Sequence, residues 1–224
     1  NIHFRFAHIS ILQYLSAINY NYIFGVNGIL IPLASLVIFL LTYFLSECYI
    51  FTNKKISFSI KNFFNLGVLI YIAYKINRYS GFGNDAVSHL LFFYLISLFL
   101  SSRENFVHLY KSSLISVFIF LNKITLGLSF LFPLFVFSKI KKKQIKIFFS
   151  FPMLFLVLWL IKNFLVSSCL IFPIEITCSK NIIWSNNNQV IQQSIAGEAW
   201  SKDWPNRKNF NVQQKEFIKD FNWI

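Results

Sequence analysis

The chain has 224 residues, of which 56% are hydrophobic, 20% aromatic and only 13% charged, with a formal net charge of +13. Soluble domains carry about 25% charged residues, so the composition excludes an ordinary water-soluble domain and predicts an all-α fold, a polytopic transmembrane helical bundle. The lysines cluster between apolar runs, which points to membrane topology and an anionic lipid surface as partner and away from nucleic acid.

The chain opens on Asn1 without a signal-peptide layout and closes on Ile224 in mid-pattern, as expected of a piece of a longer protein. Residues 1–24 mix apolar side chains with His3, Arg5, His8 and Gln13. They are too polar for a span and predict an amphipathic helix at the interface, so residues 1–25 form a first, interfacial segment. Residues 29–50 are long enough to cross a bilayer, which takes about 20 residues. Residues 52–61 carry Lys54, Lys55 and Lys61, and residues 139–146 hold five lysines in eight positions. A lysine at the bilayer centre costs about 2.5–3.5 kcal/mol, and short basic loops stay in the cytoplasm, so both runs face inward.

These two anchors fix the path between them. Residues 63–76 span outward, 78–85 form a loop rich in Gly and Asn, 87–100 return, and 101–111 form a polar connector. A single span over residues 112–137 would bury Lys123 midway and leave the five-lysine run outside. Two short segments, 113–121 and 125–137, with Lys123 at an outer turn, keep both basic loops inside. Each is shorter than the roughly 30 Å hydrocarbon core. Residues 147–161 then lead outward with Pro152 as a kink site, giving a bundle of about six spans over residues 26–163. Residues 164–224 are expected to be an external segment, with Trp184, Trp200 and Trp204. Phe217, Ile218, Phe221 and Ile224 share one helical face there, suited to lying on the membrane or leading into a further span.

Four constellations offer chemistry. Arg5, Lys75, Arg78, Lys123 and Lys162 fall at the outer span ends, where they could hold a donor phosphate through charge-assisted hydrogen bonds or simply reach lipid headgroups. Asp85 and His89, spaced i, i+4, suit a general base with its proton partner, or a helix cap. Cys169 and Cys178, nine apart across Pro173, suit a disulfide in an oxidising compartment or two free thiols. Trp200 and Trp204, flanking Lys202 and Asp203, suit sugar stacking or interfacial anchoring. Glu47 and Cys48 read as structural. No metal-spaced set, phosphate loop or nucleophile elbow is present, so no metal and no cofactor is expected.

Several short stretches carry a resemblance. They are residues 1–6 with Ser10 and Ser16, residues 122–125 around Lys123, Lys162 with Asn163, residues 168–173, residues 177–185 and residues 199–202. Together they resemble a family of bacterial polytopic membrane proteins similar in layout to GT-C glycosyltransferases and associated with surface-polysaccharide assembly. The resemblance implies transfer of a sugar from a polyprenyl-phosphate donor at the outer face of the cytoplasmic membrane. It places the catalytic carboxylate in a first external loop that would precede Asn1, so Asp85 on a later loop does not inherit that role. The alternative is a non-enzymatic membrane protein, such as a polysaccharide polymerase partner, a flippase, a transporter-like protein or a structural subunit.

Overall fold

The computed structural model describes residues 10–18, 31–53, 59–81, 83–101, 106–139, 145–202 and 214–219. Those residues are all-α, and the strand-like pairing among them is one isolated antiparallel bridge between Cys169 and Cys178. The helices are α1 (Ile11–Ile18), α2 (Ile31–Asn53), α3 (Ile60–Gly81), α4 (Gly83–Leu100), α5 (Phe106–Asn122), α6 (Leu131–Lys139), α7 (Ile145–Ser167), α8 (Asn187–Ser201) and α9 (Gln214–Lys219). A 3-10 segment, Ile124–Phe130, joins α5 to α6, and a shorter one spans Glu175–Thr177.

Local chemistry explains several helix starts. Ser10 and Gln13 form a reciprocal capping box: Gln13 N–H donates to Ser10 Oγ at 3.3 Å, and Ser10 N–H donates to Gln13 Oε1 at 3.1 Å. Ser59 Oγ accepts from Asn62 N–H at the start of α3, and Asn186 Oδ1 accepts from Gln189 N–H at the start of α8. Asp85 sits in the first turn of α4, where a carboxylate complements the helix dipole.

The chain divides into two compact units. The first runs from Ile9 to Leu156 and takes in the start of α7. In it α2, α3, α4 and α5 run antiparallel in succession, each packed on the next, and α2 also packs on α4. Helix α1 lies against α2 and α5 with Leu12 fully buried. The core is Leu12, Leu40, Phe44, Val68, Ile72, Val87, Leu90, Leu91, Leu95 and Ile119. Edge-to-face pairs extend it, Tyr43 with Tyr94 at 4.7 Å and Phe99 with Phe135 at 5.2 Å.

The chain breaks where the sequence places a turn. Helix α5 ends at Asn122, Lys123 is extended (φ −147°, ψ 101°), and the 3-10 segment and α6 fold back along α5. Ser116 Oγ donates to Ser129 O at 2.9 Å and Ser129 Oγ to Ser116 O at 3.4 Å, tying the two arms near their middle.

Two boundaries differ from expectation. The connector set at 101–111 is shorter, because α5 already begins at Phe106. Its 17 residues span about 25 Å, more than the short arm foreseen. The loop set at 78–85 is also shorter, since α3 runs to Gly81 and α4 starts at Gly83. Local Gly and Asn content suggested a loop, but such propensity is a weak prior that tertiary context overrides.

By length and composition, one helix among the described residues, Ile31–Tyr49, is long and apolar enough to cross a membrane. Four shorter apolar helices accompany it: Asp85–Leu100, Phe106–Asn122, Ile124–Ser138 and Phe151–Ser167.

The described residues of the second unit begin at Val157. Helix α7 continues through Ser167, four residues past the boundary expected for an external segment, and ends on Ser168 in the left-handed conformation (φ 60°). A disulfide (S–S 2.05 Å) joins Cys169 to Cys178. Cys169, Phe172 and Val190 form a small core with Val166 and Cys178. Helix α9 packs on α8 and buries Phe217. Phe221 and Ile224 of the expected amphipathic face lie outside the described residues.

Candidate functional site

The most structured polar cluster lies at one end of the first unit, where α4 begins and α5 ends. Antiparallel packing brings these termini side by side although 38 residues separate the two charged groups. Lys123 Nζ donates to Asp85 Oδ1 at 2.6 Å. Both side chains are about three-quarters buried, with relative exposures of 28% and 23%. One turn along α4, the fully buried Ser88 accepts a hydrogen bond through Oγ from Asn122 Nδ2. Two neighbouring residues of α4 thus clamp the two residues at the α5 break.

Lys123, expected as a cation for a donor phosphate, is paired in this structure with the expected base. Its ammonium is met by Asp85, and the same contact occupies an oxygen of the carboxylate considered as a base. His89 is half-buried one helical turn along α4 from Asp85. As it stands the arrangement is a lock between helix ends. An anion reaching Lys123 competes with Asp85 for its ammonium.

The other expected cations are distributed differently. Lys75 lies on α3 with Nζ 4.7 Å from the Tyr74 ring centroid. Arg78 falls on α3 with its side chain outside the description, and Arg5 lies outside the described residues. Lys162 belongs to the second unit, with Nζ 5.3 Å from the Trp159 ring centroid, a cation–π contact. Of the five, Lys75 and Lys123 are described in the first unit and Lys162 in the second. Trp200 lies on α8 with its side chain outside the description, and Trp204 is outside the described residues altogether.

Cys169 and Cys178 are brought together, and the backbone supports them. Leu170 N–H donates to Thr177 O at 3.1 Å, and Ser179 N–H donates to Ser168 O at 2.9 Å. Neither cysteine can then act as a nucleophile. Among the described residues no group of three or more His, Cys, Asp or Glu side chains could hold a metal ion.

Two apolar grooves run beside α5 within the first unit. One, of about 240 Å³, is lined by Leu114, Val117, Phe118 and Leu121 of α5 and by Phe151 and Phe155 of α7. The other, of about 360 Å³, lies between α5, α6 and α7 around Pro133, Pro152 and Met153. Val117 and Pro152 line both. The smaller groove ends at Leu121, two residues before Lys123.

Sequence reasoning missed a second polar cluster at the opposite end of the same unit. Lys61 Nζ lies 2.7 Å from Glu47 Oε2, closing the link between α2 and α3. A cavity of about 540 Å³ beside them is also lined by Tyr43, Ser101, His108 and Lys111. The signal available was the i, i+3 spacing of His108 and Lys111, which puts both on one helix face.

No curated protein and no solved structure matches the chain. One family matches over residues 1–224, described as "Domain of unknown function (DUF8201)". The chain belongs to the DUF8201 family.

Proposed function

We propose that the chain is part of a multi-pass bacterial cytoplasmic-membrane protein, a GT-C-like glycosyltransferase that uses a polyprenyl-phosphate-linked sugar in envelope polysaccharide assembly. Support for the membrane setting is the large apolar surface that the helices leave exposed. In the candidate span Ile31–Tyr49 only 11% of the most apolar window is buried, whereas the core helix of a soluble protein is mostly buried. Ile38, Phe39 and Leu45 on α2, Phe63 and Ile70 on α3, Leu131 and Leu134 on α6, and Leu154 and Leu158 on α7 are all exposed. The interior, beside its apolar core, holds Asn65, Ser88, Ser97, Ser112, Ser113, Ser116 and Ser129. Small and polar residues between helices with large apolar residues outside is the arrangement lipid favours. Water would penalise so much contiguous apolar surface.

The observation that carries the donor class is the apolar groove along α5, lined as far as Leu121 on the helix whose end leads into Lys123. A prenyl chain is apolar along its length and ends in a phosphate. Seated in this groove, it would present that phosphate to Lys123. The phosphate then competes with Asp85 for the ammonium, and the displaced carboxylate becomes available beside the sugar. The stretches that resemble the surface-polysaccharide family support the same class. In this reading the ends of α3 and α5 near Asp85 and Lys123 face out of the cell, as do residues 164–224.

The test is sugar transfer from a radiolabelled polyprenyl-phosphate donor in membranes carrying the full-length protein or its Lys123→Ala variant. Losing one charge-assisted contact should lower transfer at least about tenfold. Transfer unchanged in the variant overturns the assignment of Lys123 to the donor phosphate.

A further inference from the structure

The cavity at the other end of the first unit has no part in the proposed transfer. Helix α4 separates the two ends by 18 residues, about 27 Å. Tyr43 and Glu47 of α2, Lys61 of α3, Ser101 after α4, and Val107, His108 and Lys111 of α5 line it. Glu47 and Lys61 neutralise each other at 2.7 Å. Lys111 adds an ammonium that this pair does not balance, and His108 adds an imidazole one helical turn away. Among the described lining residues, two ammonium groups against one carboxylate leave a net charge of +1, which becomes +2 when His108 takes a proton.

Hydrogen-bonding capacity matches that charge. Lys61 carries three N–H donors, and the Glu47 contact accounts for one. Lys111 contributes three more. The hydroxyls serve the framework: Ser101 Oγ donates to Ser97 O at 2.9 Å, and Tyr43 Oη pairs with Ser97 Oγ at 3.0 Å. The described lining therefore offers ammonium donors beside one carboxylate already neutralised. Its 540 Å³ is several times the volume of a phosphate group.

We infer that this cavity, lined by Lys61, His108 and Lys111, binds a phosphate group. Two sources share the chemistry, free phosphate and the headgroup of an anionic phospholipid. The helix ends that form the cavity suit the second, because headgroups lie at the level where spans end.

The experiment uses the full-length protein in a neutral, phosphate-free detergent. Calorimetric titration with inorganic phosphate forms one arm. Titration with mixed micelles containing short-chain phosphatidic acid, against micelles of short-chain phosphatidylcholine, forms the other. Saturable binding in the first arm assigns free phosphate, and saturable binding only to phosphatidic acid assigns a headgroup. Either supports the inference provided that His108→Ala and Lys111→Ala each weaken it about tenfold and Lys111→Arg restores most of it. Lys111 is exposed, so truncating it leaves the packing intact, and retention of the thermal midpoint shows this directly. Lys180→Ala, in an exposed pair of the second unit, should bind like the parent. Saturation in neither arm, or equal affinity in the double His108→Ala, Lys111→Ala variant, overturns the inference.

Discussion

The two ends of the first unit are built from the same part and finished differently. Each has one lysine–carboxylate pair joining helices, Lys123 with Asp85 at 2.6 Å and Lys61 with Glu47 at 2.7 Å, with similar exposure. At the Asp85 end, Asn122 and Ser88 add a second bond between the same helices, and charge is balanced within the cluster. At the Glu47 end the pair borders a cavity that holds one further ammonium and an imidazole. An ion pair therefore does not by itself tell a lock from a site. What separates them is whether cationic donors remain once the pair is counted, and whether there is space beside them.

Breaking each pair in turn should expose the difference. Asp85→Ala leaves Lys123 without its carboxylate in a mostly buried position and should destabilise the protein by about 1–3 kcal/mol. The loss is read as a lower thermal midpoint in detergent. The exchanged double variant Asp85→Lys, Lys123→Asp should recover part of it, and a midpoint unmoved by Asp85→Ala would contradict a locking role. Glu47→Gln at the other end should cost less, about 1 kcal/mol, because one amide can still accept from Lys61. It should also tighten phosphate binding a few-fold by removing the local negative charge. Tighter binding on removing Asp85, with none on removing Glu47, would reverse the comparison.

The smallest effect concerns pH. His108 lines the cavity, and a bound dianion favours its imidazolium. Sulfate keeps its charge near neutrality, so its affinity should rise a few-fold between about pH 8 and about pH 6. In His108→Ala that rise should disappear.

Particular residues show what could be read in advance. Lys123 was legible as a break because a charge in the middle of an apolar run has few places to go. The break stands at that residue, with α5 and the following segment folded together. The cysteine spacing across Pro173 was legible because a short loop limits the partners available, and the sulfurs meet. The partner of Lys123 was not legible. Asp85 lies 38 positions away, and only the relative register of two packed helices decides that they meet. The same holds for Glu47 and Lys61, which sit on different helices. His108 and Lys111 were hidden by their polarity, which read as a connector, whereas α5 begins before them. Local patterns carry the period and breaks of a helix; tertiary register decides which charges become neighbours.

The account depends on the two ends facing opposite sides of a membrane, with the cavity inward and the Asp85–Lys123 pair outward. Single cysteines at Val107 and Thr125, both exposed, mark the two ends in a Cys48→Ser background. Intact cells treated with a membrane-impermeant maleimide should label the probe at 125 and spare the probe at 107 until the cells are opened. Labelling at 107 in intact cells, with or without labelling at 125, would contradict the account.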